Sequence, residues 1–535
     1  AIANPQATAF ILPDDTKVSA RAYVKRIRGV AAGLVALGVA PGQAVAVLGA
    51  NSVEWRVAHL GASFAGAVAV GVHPAAAPSA LVAALTATAA VVLFVDAARV
   101  GAVIDLGPAL PLVHTVVVWG GRTSPPHPWL LHWDGLLHRG AETMLWPPGG
   151  AAGLVAPRSA ADEVAARVDA AVPAAPAAVA FTSGTGAPSR GVVLTHDNIV
   201  AVVRGFGERL GAAWGANRHG ERIGVSFLPL GHVLPLLVDV YGAALLGIVM
   251  NTIDNTIEAP AAGAARGVDP PANGGGGGVT LREGAGTPSP DAIGQLLREV
   301  RPTYLVAPPY VLEAMHDAVE LWLNKGTRTP ASVVSAAALA GTRASAADAA
   351  ASARGAARGG NGCGGLTLAL ADRFVLSKIR SGLGLDACAA LFVSAAPLRA
   401  DTAAFFASIH RPALNVYGLT ETTGPVAGHT PGDFSLSTAS AGHPLPVVEV
   451  RIARRGFGGF GEILVRGELV MKGYWQNDAE TARTIKDGWL HTGDIGHLDD
   501  KNRIVITDRK KDMIVNDKGD NVAPQKIEGM LTLQP

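Results

Sequence analysis

The sequence predicts an α/β fold: a large N-terminal domain of helix-covered sheets followed by a β-rich subdomain. Three observations carry this. Short apolar runs recur along the chain with helical stretches between them, at 44–48, 91–95, 179–181, 223–228, 303–307, 391–393 and 414–416. Short apolar strands separated by helices imply parallel sheets with helical cover. The length of 535 residues suits about three domains and several sizeable cores. From Glu462 onward the texture changes to short β-rich pieces with denser charge, which predicts a smaller β subdomain leading to a hinge.

In chain order, Arg21–Leu37 has apolar residues near a 3.6-residue spacing, and Gly38 follows as a C-cap. Ala44-Val45-Ala46-Val47-Leu48 and Val91-Val92-Leu93-Phe94-Val95 are short strands. Leu60 to Val95 carries no charge, which exceeds the ~20 residues of a membrane span. It is rich in Ala and Gly and broken by Pro74 and Pro78, so it predicts buried helix and strand instead. Glu258–Pro290, with five consecutive glycines from Gly274, and Ala331–Gly365, an Ala/Ser/Gly tract, predict surface excursions. The expected organisation is a core over 1–440, interrupted at about 258–290 and 331–365, a β-rich subdomain over 441–510, and a hinge with the start of a truncated C-terminal domain over 511–535.

Charge and cysteine usage narrow the function. Forty-four Lys+Arg against 43 Asp+Glu leave a formal charge of +1, which argues against a dedicated nucleic-acid binder. Two cysteines, Cys363 and Cys388, provide no disulfide framework and fit a reducing compartment. The opening Ala1-Ile2-Ala3-Asn4-Pro5 lacks the basic and apolar regions of a signal peptide. With no transmembrane helix predicted either, the expectation is a cytoplasmic or peripherally membrane-associated protein.

Three segments could carry chemistry. In Phe181-Thr182-Ser183-Gly184-Thr185-Gly186-Ala187-Pro188-Ser189-Arg190-Gly191-Val192, a strand enters a hydroxyl- and glycine-rich loop. Its backbone N–H groups could approach an anion, with Arg190 as a fixed cation. It lacks the Walker spacing, and alone it reads equally as a phosphate loop or a hairpin turn. In Asn415-Val416-Tyr417-Gly418-Leu419-Thr420-Glu421-Thr422, a strand ends in a turn presenting a hydroxyl and a carboxylate. That pair suits a phosphate oxygen and Mg²⁺, or else Glu421 is a solvated turn residue. The third segment runs from Asp487-Gly488-Trp489-Leu490-His491-Thr492-Gly493-Asp494 to Asp508-Arg509-Lys510-Lys511-Asp512. Asp494, after a tight Thr-Gly turn, could accept two hydrogen bonds from a ribose diol, whereas the charged run alone could be a solvated face.

Taken in this order, the segments resemble the AMP-forming acyl-CoA synthetases of the adenylate-forming superfamily over nearly the whole chain. Residues 487–511 resemble the fatty acyl-CoA synthetase signature. Ala371-Asp372-Arg373-Phe374 through Arg380 and Phe227-Leu228-Pro229-Leu230-Gly231-His232 resemble its long-chain branch. The departures are local. Gly186, Ala187 and Ser189 break the usual T-S-G-T-T-G-x-P-K-G loop, and Arg190 stands at its lysine. Leu498 replaces a common Trp, and Asp517-Lys518-Gly519-Asp520-Asn521-Val522 stands where S-G-G-E-N-V is usual.

The resemblance implies a two-step reaction in which ATP activates a fatty acid to acyl-AMP, and coenzyme A then displaces AMP. It assigns Thr182, Ser183, Gly184, Thr185 and Arg190 to the β- and γ-phosphates, and Glu421 with Thr182 to Mg²⁺. Thr420 falls to the α-phosphate, and Ser394, Ala395, Ala396 and Pro397 with Tyr417 and Gly418 to adenine. Asp494 and Arg509 fall to the ribose, His232 to the acyl carboxylate, and Lys511 to a hinge. The family continues past the position of Pro535 through a small α+β domain with a catalytic lysine, so a C-terminally truncated chain is expected. Two alternatives stand beside this reading: a non-catalytic nucleotide- or acyl-binding relative, and an adenylating enzyme that loads another carboxylate or a carrier protein.

Overall fold

A computed structural model describes residues 4–12, 14–121, 127–145, 158–182, 189–210, 215–217, 219–252, 290–324, 375–431, 440–454, 460–509, 514–515 and 521–522. The excursions expected at about 258–290 and 331–365 lie, apart from Pro290, outside the described residues. The chain divides into two compact units. One comprises Ala1–His196, Val225–Leu296 and Tyr474–Gln476, and the other comprises Asp197–Gly224, Leu297–Gly473 and Asn477–Pro535.

In the first unit, six parallel strands lie side by side in the order Leu130–His132, Thr115–Trp119, Val92–Asp96, Ala44–Leu48, Val68–Val72 and Pro176–Phe181. Gly191–Thr195 adds an antiparallel strand beyond them. The three strands Ala44–Leu48, Val68–Val72 and Val92–Asp96 are buried along their whole length. Their unbroken apolar character, without alternation, follows from being covered on both faces. Ala46, Val70, Leu93 and Val116 share one core cluster. The expected first helix is Ala20–Ala36, started by the Ser19 hydroxyl accepting the Ala22 N–H at 3.2 Å. Gly38 follows it at φ +85°, the left-handed conformation that glycine adopts without strain.

The charge-free run resolves into the end of helix Val53–Phe64, strand Val68–Val72, helix Pro78–Thr88 and the start of strand Val92–Asp96. Pro78 opens its helix at a position where a missing N–H costs nothing. Among the described residues no helix is long and apolar enough to cross a membrane.

In the second unit, strands Tyr304–Ala307, Ala390–Val393 and Ala413–Leu419 are parallel neighbours, and Gly424–Gly428 and His443–Pro444 continue the sheet antiparallel. The β-rich texture after residue 440 is a second, antiparallel sheet. Val448–Arg454 pairs with Gly461–Gly467, which pairs with the long strand Trp489–Leu498. Ile485–Lys486 and Ile504–Arg509 also pair with that strand. The fold is mixed α/β, as the sequence predicts.

Candidate active site

In the second unit the parallel strands Ala390–Val393 and Ala413–Leu419 run in register, Val393 beside Asn415. The segment Ser394–Pro397 leaves the first at its carboxyl end, and Tyr417 and Gly418 lie on the second. Carboxyl ends of parallel strands are the usual place for ligands in α/β sheets. Gly418 is fixed by its neighbour: a Cβ there would stand 2.1 Å from the Gly424 carbonyl oxygen. Ala395 has φ +81°, a left-handed conformation unfavourable for an L side chain.

The turn Thr420–Thr422 is pinned from the inside. The buried Thr422 hydroxyl donates to the Gly424 carbonyl at 2.7 Å and accepts the Leu419 N–H at 2.9 Å. The Thr423 hydroxyl donates to the Leu469 carbonyl at 2.8 Å, and the Glu421 carbonyl accepts the Met471 N–H at 2.9 Å. These anchors leave the side chains of Thr420 and Glu421 half-buried.

Asp494 is buried and has a partner on each carboxylate oxygen. It is 3% exposed, and its Oδ2 accepts the Tyr417 hydroxyl proton at 2.7 Å. Its Oδ1 lies 3.2 Å from Arg509 Nε, and the two residues are register partners on adjacent strands. Burial pushes the Asp494 carboxyl above the usual carboxylate range, while the Tyr417 hydroxyl and Arg509 pull it back. Burial, reinforced by the neighbouring Asp494 charge, holds the Tyr417 phenol well above its ordinary value. Tyr417 is therefore a fixed donor and Asp494 the acceptor. The backbone before Asp494 is set by Gly493 at φ +75°, whose N–H donates to Glu462 Oε1 at 3.1 Å. The resemblance assigns Tyr417 to adenine and Asp494 with Arg509 to the ribose; the structure places Asp494 in contact with both Tyr417 and Arg509. Sequence reasoning passed over Glu462, which also faces His491 Nδ1 at 3.3 Å, because a glutamate near the start of a charged β segment reads as a surface residue.

In the first unit the antiparallel strands Pro176–Phe181 and Gly191–Thr195 are flanked by Thr182 and Arg190. Phe181 pairs with Gly191, and Thr182 and Arg190 bond through Thr182 N–H to the Arg190 carbonyl at 3.0 Å. The Arg190 N–H donates to Thr182 Oγ1 at 3.2 Å, and the Ser189 hydroxyl donates to the Thr182 carbonyl at 2.6 Å. The Arg190 guanidinium lies 5.3 Å from the Tyr474 ring centroid, with Nη1 donating to the Tyr474 hydroxyl at 3.4 Å. Ser183, Gly184 and Thr185, and in the second unit Lys511, lie outside the described residues.

His232 ends the turn 229–232, which is held by the buried Asn51. The Asn51 amide donates to the Leu228 carbonyl at 2.7 Å and to Ser226 Oγ at 3.1 Å, and its Oδ1 accepts the Leu230 N–H at 3.3 Å. The turn approaches the strand Val68–Val72 so closely that a Cβ on Gly71 would stand 3.0 Å from Gly231 Cα. This brings the His232 ring to 5.0 Å, centroid to centroid, from His73. Burial lowers the pKa of both imidazoles, helped by His73 at His232 and by Arg99 at His73. Sequence reasoning passed over His73. The available signal was that His73 is the one titratable side chain between Leu60 and Val95.

Among the described residues no group of three or more His, Cys, Asp or Glu could hold a metal ion. A single carboxylate beside a hydroxyl, as at Glu421 and Thr420, nevertheless suits Mg²⁺. That ion takes one or two carboxylates and fills its shell with water and phosphate oxygens.

The family model of the AMP-binding enzymes matches residues 1–266 and 271–475. The chain belongs to the AMP-binding enzyme family. Among curated relatives it is 30% identical to the long-chain-fatty-acid–CoA ligase FadD15 of Mycobacterium bovis, over 97% of this chain and 74% of that protein. It is 26% identical to the long-chain-fatty-acid–CoA ligase ACSBG2 of Xenopus laevis, over 96% of this chain, and spans 61% of that protein's length. A solved structure of ATP-bound MatB from Rhodopseudomonas palustris is similar, with a TM-score of 0.66 at 21% identity, over 99% of this chain and 81% of that one. A Mycobacterium tuberculosis fatty acyl CoA synthetase gives 0.65 at 21% identity, over 100% and 81%. These two likenesses establish the fold. The chain spans 56–64% of the length of the ACSBG relatives it matches and 81% of each of these two solved chains.

Proposed function

We propose that this AMP-binding enzyme activates a long-chain fatty acid in two steps. The carboxylate attacks the α-phosphate of ATP, forming acyl-AMP and releasing pyrophosphate. The coenzyme A thiolate then attacks the acyl carbon, and AMP leaves with the bonding electron pair. The observation that carries the reading is the contact of buried Tyr417, on the parallel strand Ala413–Leu419, with buried Asp494 and through it with Arg509. A carboxylate oriented by a tyrosine and an arginine, with a glycine of positive φ before it, suits a ribose diol.

The residues take the following roles. Asp494 accepts the ribose hydroxyls, with Arg509 holding its charge. Ser394–Pro397, Tyr417 and Gly418 frame adenine. Thr420 donates to the α-phosphate, where charge develops during attack. Arg190, steadied over Tyr474, faces the β- and γ-phosphates together with Thr182, Ser183, Gly184 and Thr185. His232 positions the acyl carboxylate, and Lys511 serves as a hinge. Glu421 would hold Mg²⁺, which when bound neutralises phosphate charge. Fatty acid, ATP and coenzyme A are thus substrates. Peripheral contact with a membrane surface would suit a water-insoluble acid.

The test is ATP–pyrophosphate exchange with a panel of fatty acids of graded length, followed by thioester formation with coenzyme A. Exchange that requires a long-chain acid supports the reading; ATP binding without carboxylate-dependent exchange overturns it in favour of a nucleotide-binding relative. Glu421→Gln keeps the size of the side chain and removes its charge. It is expected to lower exchange by about 10²–10³-fold, the scale of losing one preorganised electrostatic contact, with unfolding unchanged. Exchange equal to wild type would remove the metal assignment.

A further inference from the structure

We propose that His73 is a second contact for the substrate carboxylate, and that it and His232 together bind the acid as a two-imidazole anion site. This rests on the fatty-acid reading above and adds to it a residue that no motif named.

The geometry comes from the backbone. Gly71 and Gly231 let the end of strand Val68–Val72 and the turn 229–232 approach to within ordinary contact, and a Cβ on either would press on the other's backbone. The two chains therefore deliver one histidine each to the same place, with ring centroids 5.0 Å apart and planes at 62°. Each is held from behind. His73 Nδ1 accepts the Ala75 N–H at 3.1 Å, so in the neutral ring the proton sits on Nε2 as a donor. His232 follows the turn that Asn51 clamps.

The charges around the pair favour an anion. Arg99 bonds the Pro74 carbonyl at 3.1 Å and acts on His73; its own ion-pair partner is Asp96, which also accepts the Ala50 N–H at 2.9 Å. Asp96 is thus engaged by Arg99 and a backbone donor. Among the described residues, the charged groups found to act on the two rings are Arg99 on His73, and His73 on His232, all cationic when charged. Burial and mutual repulsion keep the empty pair neutral. An arriving carboxylate reverses that balance, so binding takes up a proton from solvent and weakens as pH rises.

The substitution His73→Asn separates this role from a structural one. Asparagine keeps an acceptor where Nδ1 bonds Ala75 and removes Nε2. Glutamine reaches the Nε2 position with an amide donor that cannot titrate. The measurements are oleate binding by calorimetry near pH 7 in two buffers of different ionisation enthalpy, and the exchange KM for the acid. Wild type is expected to take up protons on binding. His73→Asn should lose the uptake and raise the acid KM about 10-fold or more, with the ATP KM unchanged. His73→Gln should recover most of the affinity without the uptake.

Equal proton uptake and equal acid KM in wild type and His73→Asn, with exchange still dependent on fatty acid, would overturn this inference alone. Absence of fatty-acid-dependent exchange in wild type would overturn both it and the function proposed above.

Discussion

Asp239 in the first unit and Asp494 in the second are both buried carboxylates near an arginine, and burial raises the pKa of both. Their surroundings differ. Arg56, whose charge acts on Asp239, is 0% exposed; it donates to the Ser52 carbonyl at 2.7 Å and lies 5.4 Å from the Phe10 ring centroid. Beside it, His59 Nε2 meets the Tyr241 hydroxyl at 3.0 Å, and burial drives that imidazole down to about 3. Arg509, the partner of Asp494, has a side chain 48% exposed, and the pairing of their two strands shifts register after Ile495. The lesson is that a buried acid does not by itself mark a site. Solvent access to its partner and a backbone kept irregular around it do, and the Asp494 cluster alone has both.

Breaking the first cluster should produce the largest effect on stability. Asp239 titrates at about 6 when folded against an ordinary 3.8. Its contribution to stability is therefore fully present below about pH 4 and is lost as pH rises through about 6. Arg56, whose charge acts on that carboxylate and whose Nε donates to the Asp239 backbone carbonyl at 3.4 Å, opposes that loss. Arg56→Met is expected to cost about 3–5 kcal/mol near pH 7.5, the usual penalty for leaving a buried charge uncompensated. The cost should shrink near pH 5, where Asp239 carries a proton. Urea denaturation at the two pH values checks this, and an equal penalty at both would show that Arg56 acts by packing alone.

This cluster was not legible in the sequence. Arg56 and Asp239 are 183 residues apart, and each sits in an apolar stretch that reads as ordinary core. Asp239 and Tyr241 come from a π-helical stretch, Leu236–Gly242, and no local pattern marks such a widened turn. The second cluster was legible piece by piece. Tyr417 and Asp494 each lie on a strand with a glycine beside them, and such glycines leave a mark in the sequence. Which partners they meet was not legible, since that depends on strand register: Asp494 opposite Arg509 is a pairing property of two strands. The parallel sheets were the most legible feature, because strands such as Val68–Val72 must be apolar on both faces.

A smaller effect, specific to ligand, is expected from the second cluster. Asp494→Ala should weaken ATP binding by ~1.5–3 kcal/mol, the usual size of a hydrogen bond to a charged group, or about 10- to 150-fold. Asp239→Asn, tested in parallel by calorimetry, should leave ATP affinity unchanged. If the two substitutions weakened ATP equally, the distinction between a structural and a ligand-facing carboxylate would fail.

The smallest effect tests the backbone half of the comparison. Two alanines occupy left-handed conformations, Ala89 at φ 50° in the first unit and Ala395 at φ 81° in the second. Ala89 caps the helix Pro78–Thr88 at its carboxyl end, where its N–H bonds the Leu85 and Thr86 carbonyls, and a glycine there would relieve strain with nothing else at stake. Ala395 is exposed in the segment proposed to frame adenine. The left-handed conformation costs an L residue roughly 1–2 kcal/mol, and glycine returns about 0.5–1 of that as lost chain entropy. Both Ala89→Gly and Ala395→Gly should therefore stabilise by about 0.5–1 kcal/mol in urea denaturation. Only Ala395→Gly should also lower ATP affinity, on the order of twofold, because a glycine frees the segment that must be ordered around the base. Stabilisation by Ala89→Gly together with destabilisation by Ala395→Gly would mean that the Ala395 methyl makes a contact worth more than its strain, and the irregular backbone there would then be packing rather than preparation for a ligand.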